Sequence, residues 1–279
     1  SILTGLSAVA FSGSVFAAES FTWSFTSGCS ANCSGSTSRK TFEPTSDTTP
    51  TVTASAWANT GPNGSNNRLY EADLNIYSGG TGVRHADGES TSSPNHATDN
   101  NGRYELVVYD FGAQSVALTE VAISWWYNDA DITILRYAGD LVDPRSVFNS
   151  TPYGVGVEYL TEAYNAGTGI GGWVNEGNID VDGIGTNGGR GGYATASFNA
   201  DKDASNYWIV AAYNTAFGTC DSGSCENGHS SDYDYFKIKK LTGEIGGGGP
   251  PTGGVPAPPT FLLMTLGLAW LGRKHLKSA

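Results

Sequence analysis

Between Glu19 and Ile245 apolar residues recur every second position or in short unbroken runs. The spacing of three and four that marks an amphipathic helix is not sustained anywhere. Runs rich in Val, Ile, Thr and aromatic side chains alternate with Gly, Asn, Asp, Ser and Pro, the punctuation of strands and turns. This pattern predicts strands at Phe21–Thr26, Thr51–Ala58, Arg68–Tyr77, Arg103–Phe111, Ser115–Thr119, Val121–Tyr127, Asp131–Tyr137, Gly172–Val174, Tyr193–Asn199, Tyr207–Tyr213 and Tyr233–Leu241. Val121, Ile123 and Trp125 alternate strictly, with Ala122 and Ser124 between them, whereas Val116 and Leu118 run in the opposite phase. Such a change of phase predicts a bulge, or a crossing between sheets, near Thr119-Glu120. About ten short strands over about 225 residues predict an all-β fold, a single β-sandwich of jelly-roll type spanning 19–245. The Gly- and Asn-rich stretch from Asn165 to Gly192 is expected to run over its surface.

The two ends follow a different pattern. Residues 1–18 are apolar and small, with no charge before Glu19, and Val15 and Ala17 suit the positions before a signal peptidase cut. They predict a signal peptide whose own start lies upstream of Ser1. Residues 246–259 are a Gly/Pro linker that has no side chains able to build a core. Residues 260–272 predict a short transmembrane helix carried by Phe261, Leu262, Leu263, Leu266, Leu268, Trp270 and Leu271. The span is shorter than the ~20 residues of a comfortable membrane helix, and Arg273 and Lys274 would extend it by snorkelling. The basic tail 273–279 would then stay in the cytoplasm and leave the sandwich outside.

Charge sharpens this division. The chain has a formal net charge of -12, and three of its 15 basic residues (Arg273, Lys274, Lys277) sit in the tail. The rest carries 12 basic against 27 acidic residues, a net of -15. So acidic a chain lacks the basic footprint of a nucleic-acid binder. The four cysteines lie in two close pairs, Cys29 with Cys33 and Cys220 with Cys225. In an exported chain they predict disulfides, two local loops being the simplest of three connectivities. A four-Cys zinc site is the alternative, with spacings loose for it.

The layout of Val255-Pro256-Ala257-Pro258, then a short apolar helix, then a basic cluster resembles the PEP-CTERM sorting tail of Gram-negative bacteria, which an exosortase handles. Ala257 stands where that tail usually has Glu. A second resemblance is carried by the segment from Asp99 through Gly112, by Val116–Trp126, Asp129–Ile132 and Ile134–Gly139, and by Asp234–Ile238. These look like exosortase-dependent surface proteins of the same class. The resemblance implies an exported domain, anchored at the envelope by its helix and then placed on the cell surface or in the extracellular matrix. Signal peptidase and exosortase would be its processing partners. It implies no enzymatic activity.

Motifs for chemistry are sparse. There is no zinc-protease or nucleophile-elbow motif. Gly183-Ile184-Gly185-Thr186-Asn187-Gly188 fits a dinucleotide fingerprint in letters only, because no helix pattern follows it. His85 and His96, in polar surroundings, are expected to be solvated loop residues. Calcium is the one candidate cofactor: Asn128, Asp129 and Asp131 would gather oxygens in a tight turn between two strands. Asp180 to Gly183, and Asp232 with Asp234 where the chain returns, are lesser acidic candidates. The competing explanation for all of them is ordinary Asx-turn chemistry. In Trp125-Trp126-Tyr127 neighbours point to opposite faces, so one Trp fills the core, and the other either faces out or is buried between the sandwich and its loops. Trp126 and Trp173 are the candidate platform for stacking on exopolysaccharide, with Tyr193 beside them. The expectation is therefore a non-catalytic surface protein, with a calcium-stabilised, lectin-like carbohydrate module as the alternative.

Overall fold

The computed structural model describes residues 18–26, 35–60, 68–85, 87–90, 92–127, 129–149, 156–181, 193–221, 225 and 233–245. The leader up to residue 17, Cys29, Cys33, Asn128, Asp182, the 183–188 glycine motif, His229, Asp232 and everything from 246 to 279 lie outside these residues. The expected sorting motif and membrane helix therefore lie outside them too. Among the described residues no helix is long and apolar enough to cross a membrane.

The described chain is all-β. In chain order the strands are β1 (Glu19–Ser24), β2 (Gly35–Thr37), β3 (Arg39–Phe42), β4 (Val52–Asn59), β5 (Leu69–Glu71), β6 (Asp73–Tyr77), β7 (Gly80–Arg84) and β8 (Thr98–Asp99). They continue with β9 (Glu105–Asp110), β10 (Ala117–Trp126), β11 (Asp131–Tyr137), β12 (Trp173–Asp180), β13 (Ala194–Ser197), β14 (Tyr207–Ala212) and β15 (Tyr235–Ile245). Two antiparallel sheets form. One runs β13-β10-β15-β7-β6-β2, with β1 and β8 also paired to β15; the other runs β12-β11-β14-β9-β4-β3, with β5 on β4.

The main core lies between the sheets, built on Trp23, Tyr109, Trp126, Trp208 and Phe236 together with aliphatic residues of β4, β10, β11 and β15. A second apolar cluster covers the outer face of the β9–β11–β14 sheet. There Phe148, Val157, Leu160 and Phe217, in or beside short 3₁₀ turns, pack on Leu106, Leu135 and Ile209. Both faces of that sheet are buried, which is why β9 and β14 are unbroken apolar runs rather than alternating ones.

β15 organises the other sheet. One of its edges pairs with β10 from Trp126↔Phe236 to Ala117↔Glu244. The other edge is shared along its length by β8 at 235–236, β7 at Ile238 and β1 at 240–245. The predicted strands Ser115–Thr119 and Val121–Tyr127 are one strand, β10, and the predicted phase change is a bulge between Leu118 and Glu120. The predicted strand Arg68–Tyr77 is instead two strands divided at Ala72, and Gly172–Val174 extends to Asp180. Four strands escape the sequence pattern: β2, β3, β7 and β8. They are short, polar or, as in β7 (Gly80-Thr81-Gly82-Val83-Arg84), rich in glycine.

Candidate functional site

Four acidic residues open strands or sit beside their openings at one end of the sandwich. Glu105 is the first residue of β9 and Asp131 the first of β11; Asp99 closes β8 against Tyr235, and Asp234 precedes β15. The strand register brings these starts together: Leu106 pairs with Ala211, and Ile132 with Ala212. The opposite end of β15 is Ile245, ten residues away, or about 34 Å at strand rise.

The first acidic group is Asp129, Asp131 and Asp234. Each offers a carboxylate oxygen, and these oxygens lie within 4.8 Å of one another. Asp131 and Asp234 are fully buried and Asp129 nearly so. Backbone amides fix the carboxylates: Asp131 N donates to Asp234 Oδ1 at 2.6 Å and Ala130 N to Asp129 Oδ1 at 2.9 Å. Asn100 is the strut between segments; its Nδ2 donates to Asp234 Oδ2 and its Oδ1 accepts from Asp234 N at 3.0 Å. Three carboxylates from two distant stretches of chain are a donor set for a hard cation such as Ca²⁺. Of the predicted calcium residues, Asp129 and Asp131 fall in this group and Asn128 lies outside the described residues. The third carboxylate is Asp234. Asp180 pairs with Asp131 across β12 and β11 and is not one of the three.

The second group was not foreseen. The Glu89 carboxyl lies within hydrogen-bonding reach of those of Asp99 and Glu105, and His85, Glu89 and Glu105 each offer a ligand atom within 4.8 Å of the others. Burial, followed by the neighbouring carboxylates, pushes Asp99 and Glu105 well above the usual range. Burial likewise pushes Glu89 up to about 7. The reading of His85 as a solvated loop residue is corrected here: its side chain is only 11% exposed and lies 3.8 Å from Glu89 Oε2. The available signal was a Glu at the head of an apolar strand, a residue type rarely buried without a reason.

The predicted aromatic platform is also corrected. Trp126 is fully buried between the sheets, and Trp125 is the half-exposed neighbour. Register shifts between Ala122 and Ile123 and between Ile123 and Trp125 break the alternation that placed Trp125 inward. Trp173 is 3% exposed, packed 5.1 Å from Tyr137 in the outer cluster, because the loops around Phe148 and Leu160 cover it.

An aromatic surface does exist on the outer face of the β15 sheet. Tyr77, His96 and Trp125 surround the Lys237 amine, which lies 3.9 Å from the Tyr77 ring and 4.8 Å from that of Trp125. His96 is thus part of a ring cluster rather than a solvated loop residue. Burial pushes Lys237 down to about 8. Gly82 makes the cluster possible: a Cβ there would lie 2.3 Å from the His96 carbonyl oxygen, so only glycine lets the 94–97 segment cross β7. Tyr193, 46% exposed, continues the face with Lys239 5.2 Å from its ring.

Cys220 and Cys225 are joined by a disulfide. Beside it, the Asp221 carboxylate and the Thr219 carbonyl both accept from Asn178 of β12. Comparison with protein-family models, with curated proteins and with solved structures finds no match to this chain.

Proposed function

We propose that the chain is an exported, non-catalytic surface or extracellular-matrix protein, a jelly-roll-type sandwich displayed through its C-terminal sorting tail. Residues 1–18 direct export and are removed by signal peptidase. Val255, Pro256, Ala257 and Pro258 are read by an exosortase of a Gram-negative envelope, and 260–272, with Arg273 and Lys274 behind it, anchors the chain in the membrane. The observation that best supports this reading is the pairing of Glu19 with Ile245. The first described strand thus begins where the last one finishes, and the acidic end of the sandwich lies at the far end of β15.

Cell fractionation tests the proposal. In an exosortase-bearing Gram-negative host the full chain is expected in the envelope fraction, and a chain ending at Gly254 in the medium. Equal retention of both would refute the anchoring role.

A second reading, recognition of exopolysaccharide, is favoured by the Tyr77–His96–Trp125 surface. Aromatic faces stack on the apolar faces of sugar rings while neighbouring polar groups bind hydroxyls. Calcium at Asp129, Asp131 and Asp234 would stiffen the same sandwich in that role. Binding to a glycan array that is lost in Trp125→Ala, with the melting temperature unchanged, is the expected result. A wild-type chain that binds no glycan removes this reading.

A further inference from the structure

The outer face of the β15 sheet carries an imbalance of charge. Outside the tail the chain has 12 basic against 27 acidic residues, so a lysine on this body readily meets a carboxylate. Lys202 meets Glu244 at 2.9 Å and Lys240 meets Glu120 at 3.6 Å. Lys237 and Lys239 do not: among the described residues neither forms an ion pair. Burial, not a neighbouring charge, sets the proton affinity of the Lys237 amine. The neighbours of both lysines are rings instead, Tyr77 and Trp125 at Lys237 and Tyr193 at Lys239.

The strands set this arrangement. Ile238 points into the core, so alternation turns Lys237 and Lys239 to the outer face, about 7 Å apart at strand rise. Trp125 of β10 pairs directly with Lys237, and Ala194, next to Tyr193, pairs with Ile123 of β10. The rings thus stand beside the two lysines, on the strand next to β15 and at the start of the one beyond it. Tyr77 and Trp125 are half-exposed and Tyr193 is exposed. An ammonium held this way has lost water without gaining an anion. Ring faces attract it, but less strongly than a carboxylate does. An incoming anion therefore gains more at Lys237 than at a fully hydrated surface lysine. The acidic remainder of the body repels the same anion elsewhere.

We propose that this face binds an acidic polysaccharide of the polyuronate class, with Trp125 and Tyr193 stacking on sugar rings and Lys237 and Lys239 pairing with sugar carboxylates. This rests on the reading of the face as a glycan surface and names the class of glycan. A uronate carries its carboxylate directly on a ring carbon. A sugar stacked on Trp125 holds that group at its rim, and the Lys237 amine lies 4.8 Å from the centre of the Trp125 ring. A sulfate ester stands off the sugar on a bridging oxygen, which suits an exposed lysine better than one only 7% exposed. Two lysines on one strand engage two carboxylates of one polymer, so affinity rises with oligomer length.

Calorimetric titration of the full chain with oligomers of galacturonate, mannuronate and glucuronate, each beside its methyl ester, tests this. The ester keeps the sugar and removes the charge. At least one acid is expected to bind about 10-fold or more tightly than its ester. Lys237→Met, which keeps the apolar stem, should bring the two affinities together, and Trp125→Ala should lose both ligands. Circular dichroism checks that the variants fold. If Lys237→Met does not, Lys239→Gln is titrated and should narrow the preference by about 3-fold or more. A glycan array that adds neutral and sulfated oligosaccharides separates the possible failures. Equal binding of acid and ester, a preference for sulfated glycans over uronates, or a preference kept in the lysine variant overturns the inference and leaves glycan recognition standing. A parent chain that binds no glycan removes both.

Discussion

Trp125 and Trp126 are chemically identical neighbours with opposite fates. Trp126 fills the space between the sheets, whereas Trp125 lies over Lys237 on the outer face. Trp126→Ala is therefore expected to cost about 3–5 kcal/mol, the usual penalty for emptying a large aromatic site in a core. Trp125→Ala removes surface contacts only and should cost about 1 kcal/mol or less. Urea denaturation of the two variants checks this, and the reverse order would mean that the inward and outward faces of β10 are assigned wrongly. The sequence contained the alternation of Val121 and Ile123 but not the register shift beyond it. That shift leaves no mark in the residue types, because either Trp is apolar enough for a core.

At the scale of elements, the phase change at Thr119-Glu120 was legible, because inward and outward residues swap there and both sheet faces constrain the choice. The strands of the second sheet were legible as apolar runs. β7 and β8 were not, since a strand of Gly, Thr, Val and Arg has no pattern of its own and forms only against its neighbours. Those two strands bring Glu89 and Asp99 to Glu105 at the head of the predicted β9, so the group was hidden with them. Its titration predicts a pH dependence. The folded Glu89 releases its proton near pH 7 and the unfolded one near 4.5. Below 4.5 both states hold the proton and the contribution to stability is whole. Between about 4.5 and 7 only the folded state holds it, so stability falls as pH rises. Asp99 and Glu105 act in the same direction. Denaturant midpoints measured at about pH 4.5 and 7 in calcium-free buffer should show this fall, and Glu89→Gln should flatten it. An equal slope in the variant would assign the effect to other groups.

For the whole molecule, β1 ties the start of the folded body to its finish. Trp23, fully buried, donates from its indole to the Pro50 carbonyl at 2.7 Å and packs 4.9 Å from Phe111 of the segment after β9. A chain lacking residues 19–24 is expected to lose its cooperative thermal transition, and an unchanged calorimetric melt would show β1 to be dispensable. Sequence alone determined the all-β class, most strand positions and the acidic character of the body. Each of these depends on local patterning or on composition, which a chain carries whatever its neighbours are. Tertiary structure alone decided which tryptophan is buried, that Asp234 joins Asp129 and Asp131, and that three carboxyls meet beside His85. The first two outcomes depend on strand register across more than a hundred residues of chain, and the third on strands without a pattern of their own; in each a shift of one position turns a side chain to the other face.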